Sequence, residues 1–63
     1  MARSLKTQTI QLAARIAGSP RKLRDLLGSS SADIAAWLAG HEEPPDIVFY
    51  RCLEVILDEL DAR

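Results

Sequence analysis

Sixty-three residues fit one small domain near the lower limit for folding alone, and a hydrophobic share of 48% is too high for a disordered chain. One cysteine excludes an internal disulfide and a cysteine-built zinc cluster. No apolar run approaches the roughly 18 residues of a membrane span, and Met1–Lys6 leads into a polar segment and not a signal-peptide core. The expectation is a cytoplasmic protein with no membrane partner. The net charge of −1 hides an asymmetry: residues 1–24 carry +6 with no acid, and residues 25–63 carry −7. A basic half of this kind suits an anionic partner.

The whole chain, 1–63, reads as a single domain, with 1–6 a flexible arm or a helical extension. The first helix is expected over Thr7–Ala17, where Ile10, Ala13, Ala14 and Ala17 recur at helical spacing and Leu12 and Ile16 widen the stripe. Ser19 before Pro20 matches an N-cap followed by proline at the first helical position. Leu23, Leu26 and Leu27 give this second helix one apolar side, and Gly28 ends it. Ser30 caps a third helix, with Asp33 placed to complete a capping box. Ile34, Trp37 and Leu38 supply its buried face, and Gly40 stops it. Two helices of this length joined by three residues make a helix-turn-helix, whose second helix can enter the DNA major groove.

After the short acidic loop His41–Pro45, a fourth helix is expected over Pro45–Leu60. Phe49, Leu53, Ile56 and Leu60 form one stripe along it, and Val48, Cys52 and Val55 an adjacent one. Acids at Asp58, Glu59 and Asp61 oppose the helix dipole and weaken its last turn. No period-two alternation supports a strand. The expected core is Leu12, Ile16, Leu23, Leu27, Ile34, Trp37, Leu38, Phe49, Leu53 and Ile56. The fourth helix then has apolar residues to spare. That excess predicts a homodimer through it, with Val48, Cys52, Val55, Leu57 and Leu60 at the seam.

The stretch LGSSSADIAAWLAG, with Leu27-Gly28, Ser30, Ile34, Trp37-Leu38 and Gly40, resembles the LGVS-x-x-x-(Ile/Leu/Val)-x-x-Trp-Leu-x-Gly pattern of lambda-repressor-like (Cro/XRE-type) helix-turn-helix domains. The resemblance covers residues 9–57 or so and implies an all-α, compact four-helix domain with a central helix-turn-helix. It further implies a repressor-like transcription factor whose partner is double-stranded DNA. On that pattern Ser30, Ser31, Ala32, Ala35, Ala36 and Ala39 would face the bases. Ser19, Arg21 and Lys22 would meet phosphates at the N-terminus of the second helix, joined by Arg3 and Lys6 from the arm. Three positions depart from the pattern. Ser29 replaces a buried aliphatic, Arg24 a small residue, and Glu42-Glu43 a neutral or basic loop. Carboxylates there would repel phosphate, and the base-facing set contains none of the bidentate base readers Arg, Lys, Asn or Gln. An alternative follows: a protein–protein interaction module on a degenerate helix-turn-helix fold.

Other chemistry is thinly represented. Trp37 has core spacing. His41 with Glu42 and Glu43 makes poor metal geometry, because three adjacent loop residues cannot surround an ion. Cys52 lies among apolar helix residues and reads as an inert thiol. The serines 29–31 lack a partner base and read as turn and cap residues. No enzyme, no metal and no cofactor is expected.

Overall fold

Three serines open helices and three glycines close them. The computed structural model describes residues 3–62, and these form α1 (Leu5–Ala17), α2 (Pro20–Leu27), α3 (Ser31–Ala39) and α4 (Asp46–Asp61). The Oγ atoms of Ser4, Ser19 and Ser30 accept the backbone N–H three residues on, at 3.1, 3.2 and 3.1 Å. Each bond satisfies one of the N–H groups that a helix start leaves without a partner. The return half of the box at Ser30 is absent among the described residues; Asp33 contributes its N–H and not its carboxylate. α4 has no side-chain cap. Pro45 starts it, and Asp46 places an acid in its first turn, where the dipole favours one.

Gly28 follows α2 at φ +68°, in the left-handed region, and its N–H reaches the carbonyl of Arg24 at 2.8 Å. Gly40 does the same after α3 at φ +81°. There, Gly40 N–H bonds to Trp37 and His41 N–H to Ala36, the paired bonds of a Schellman ending. Both glycines therefore turn the chain within a residue of the helix end.

α1 packs most extensively on α4 and also touches α2 and α3, while α3 packs on α1 and α2. The Lys6–Asp46 ion pair joins the starts of α1 and α4, and Ile16 and Val55 line one cleft farther along, so these two helices run parallel. The Cα radius of gyration, 10.8 Å, is that of a close-packed chain of this length.

The core is Ile10, Ala13, Leu23, Leu27, Ile34, Trp37, Val48 and Cys52, with Ala14, Ala17, Leu38 and Val55 packed against it. Leu23, Leu27, Ile34 and Trp37 stand where the sequence puts them. Two expectations are corrected. Leu12 is 44% exposed, because α1 turns its small residues Ala13, Ala14 and Ala17 inward with Ile10. On α4 the two stripes exchange roles. Val48 and Cys52 are buried within the single chain and cannot be at a dimer seam, whereas Phe49, Leu53 and Ile56 are only half-buried and Leu60 is exposed. Small side chains let α1 and α4 approach closely, and the larger stripe lies outside that contact. Of the two forms expected for residues 1–6, the helical extension is seen: Leu5 and Lys6 are helical, Ser4 caps them and Arg3 is bound to α1, while Met1 and Ala2 lie outside the described residues.

The two buried threonines are satisfied locally: Thr7 Oγ1 accepts from Ser4 Oγ at 3.0 Å, and Thr9 Oγ1 donates to the Leu5 carbonyl at 2.7 Å. Among the described residues no helix is long and apolar enough to cross a membrane.

Candidate functional site

The expected site residues fall on three parts of the surface. The outward side of α3 carries Ala32, Ala35 and Ala39, all exposed, with Ala36 half-buried beside them. Burial of Ile34 and Trp37 fixes this orientation, because helical spacing then turns the alanines away from the core. Ser30 and Ser31 stand exposed at the start of α3. Both hydroxyls are already engaged within the chain. Ser30 caps the helix, and Ser31 Oγ accepts from Arg24 Nη1 at 3.0 Å.

Between α2 and α3 lies an open groove of about 500 Å³, lined by Pro20, Arg21, Arg24, Ser31, Ile34, Ala35 and Leu38. Its floor is apolar, and its rim brings together three candidates from two elements: Arg21 on α2 and Ser31 and Ala35 on α3. The fourth rim residue, Arg24, was not among the expected contacts. Its guanidinium bridges Ser31 and the adjacent Asp25, at 3.0 and 3.3 Å, and so ties the end of α2 to the start of α3. The signal in the sequence was the departure itself, a large cation where the resembled pattern has a small residue.

Arg21 and Lys22 diverge. Arg21 borders the groove, while the Lys22 stem lies over the α1–α2 turn, 3.8 Å from where a Cβ on Gly18 would stand. Successive helical residues point about 100° apart, so the two cations flank the α2 N-terminus on different sides. Ser19 spends its Oγ on the Lys22 N–H. At the α2 start Pro20 has no N–H and those of Lys22 and Leu23 are bonded to Ser19, which leaves the Arg21 N–H beside two cations and no acid.

The two remaining bases separate. Arg3 Nη1 donates to Gln11 Oε1 at 2.7 Å, and Gln11 Nε2 donates to the Leu38 carbonyl at 3.0 Å, which links Arg3 to the end of α3. Lys6 instead pairs with Asp46 on α4 at 2.5 Å, and that hydrogen bond raises its pKa above the ordinary lysine value. Lys6 is thus committed to the α1–α4 contact. Glu42 and Glu43 are both exposed in the loop after α3.

Elsewhere the chemistry is quiet. Burial pushes the Cys52 thiol up to about 11, so it is protonated at neutral pH and unreactive. No group of three or more His, Cys, Asp or Glu side chains among the described residues could hold a metal ion. Comparison with family models, with curated proteins and with solved structures finds no match.

Proposed function

We propose that the chain is a DNA-binding regulator of the lambda-repressor-like kind, with α2 and α3 as a helix-turn-helix and α3 inserted in the major groove. One observation carries the reading: a basic α2 N-terminus and an unobstructed α3 face border the same groove, with Arg21 and Arg24 on its rim. The side chains of Arg21 and Lys22 and the Arg21 N–H take phosphates, and Arg24, already bonded to Ser31, sets the spacing of the two helices. The alanines give close approach and methyl contacts to thymine but no bidentate hydrogen bonds. Sequence preference then rests mainly on DNA shape.

Fluorescence anisotropy on a random duplex across a salt series tests this. Arg21→Ala with Lys22→Ala flattens the log–log salt slope by roughly two units and weakens all sequences alike. Glu42→Gln with Glu43→Gln tightens binding by removing repulsion near the backbone. A double Arg21/Lys22 variant that binds as well as the parent at low salt overturns the proposal. The protein-interaction reading, which the alanine face and the acidic loop favour, then takes its place.

A further inference from the structure

Independently of any DNA binding, we propose that α1 and α4 together dock a second copy of this chain. The surface is the stripe displaced from the core. At about 100° per residue, Leu5, Leu12 and Ile16 share one side of α1, and Leu53, Leu57 and Leu60, with Tyr50 at the margin, share one side of α4. Leu5 is 70% exposed, Leu57 57% and Leu60 58%, while Ile16 and Leu53 are half-buried. Because the helices lie side by side and parallel, the two stripes adjoin. Exposed apolar patches of more than a few hundred Å² on a small protein mark contact surfaces. A standard interface takes about 800 Å² per partner, under a fifth of the 4422 Å² that this chain exposes.

The charge pattern selects the occupant. Going round α1 from the buried Ile10, Ala13 and Thr9, the order is Ile16, Leu5, Leu12, Gln8 and then Arg15. Going round α4 from the buried Val48 and Cys52, it is Ile56, Phe49, Leu60, Leu53, Asp46 (at the helix start and paired with Lys6), Leu57, Tyr50 and then Asp61 and Glu54. One edge of the face is therefore basic and the other acidic. A two-fold axis running along the helices sets α1 on the partner's α4 and brings each basic edge against an acidic one. An axis across the helices would set like on like. The heights agree too. The Lys6–Asp46 pair puts those residues level, and Arg15 and Glu54 lie nine and eight residues beyond them. Under the first operator Arg15 then stands opposite the partner's Glu54.

Sedimentation equilibrium of the full chain up to high micromolar concentration reads the dimer constant, with circular dichroism as the check on folding. The parent dimerises. Leu57→Asp weakens the dimer by about tenfold or more, as a charge in the centre of an apolar seam does. Arg15→Glu and Glu54→Arg each weaken it by roughly threefold or more, and the two together return it to near the parent value. A parent that stays monomeric, or a dimer indifferent to Leu57→Asp, overturns the proposal. Charge reversals that do not rescue each other overturn the two-fold arrangement.

Discussion

The α2–α3 pair and the α1–α4 pair are built from similar residues yet differ in how their packing is determined. Each short helix of the first pair has one apolar stripe, one serine cap and one glycine stop, so one rotation about its axis buries Leu23 and Leu27 on α2, with Leu26 at the exposed margin, and Ile34 and Trp37 on α3. The long helices of the second pair each carry two apolar stripes, and either could have been buried. The choice fell on the side with the smaller residues, Ala13, Ala14 and Ala17 against Val48, Cys52 and Val55. Close approach of two backbones brings more atoms into dispersion contact than a wider separation filled by a few leucines. The larger stripe was left outside, where it became available for association.

The steepest test of this contrast is Trp37→Ala. Trp37 is 6% exposed and is the largest residue of the core, and its loss should lower stability by about 3–5 kcal/mol, a large share of what so small a domain has. Urea unfolding followed by far-UV circular dichroism measures it. A loss under about 1 kcal/mol would mean that α3 is not anchored by its tryptophan.

Next come two substitutions on α1 itself. Ile10 is fully buried and Leu12 is 44% exposed. Ile10→Ala should cost about 2–5 kcal/mol and Leu12→Ala under about 1 kcal/mol, measured on dilute protein so that self-association does not contribute. Equal losses would restore the rotation in which the larger residues face inward.

These assignments show what was legible in the sequence. Cap and stop residues are local chemistry, so the bounds of α2 and the burial of Leu23, Leu27, Ile34 and Trp37 could be read directly. The start of α1 stayed open between Thr7 and an extension into 1–6, because the polar Thr7 and Thr9 mask the helical pattern although both are buried and bonded locally. The facing of α4 depends on the partner helix and has no local signal. Within the candidate site, Arg21, Ser31 and Ala35 came from the resemblance alone, and the structure sets them along one groove. The role of Arg24 was not legible, since its bond to Ser31 forms only once α2 and α3 are packed.

A titration sharpens the α1–α4 side. Burial holds the Cys52 thiol at about 11, above its ordinary value of 9.0. A raised pKa means that the folded chain holds its proton longer than the unfolded one, so this contribution is complete below pH 9 and is lost as pH rises through about 11. Stability should therefore fall across that window. Lys6, also raised, adds the same sign at its upper end. Cys52→Ala removes the titrating group and should flatten the fall while lowering the baseline. An unchanged pH profile in that variant would place the alkaline transition elsewhere.

The gentlest prediction probes the turn between α2 and α3. Gly28 sits at φ +68°, and nothing lies within 4 Å of where a Cβ would project. A substitution there meets no steric obstacle and reports backbone conformation alone. Placing an L-residue in the left-handed region costs about 1–2 kcal/mol, and the stiffer unfolded chain of an alanine variant returns about 0.4–1 kcal/mol of that. Gly28→Ala should thus destabilise by at most about 1.6 kcal/mol, and Gly28→Asn by less, because asparagine tolerates this region best after glycine. The ranking Gly, Asn, Ala in urea midpoint is the signature to look for. An alanine variant more stable than the parent would show that the turn does not hold positive φ in solution. The Gly28 N–H bond to Arg24, and with it the spacing that lets Arg24 reach Ser31, would then need another support.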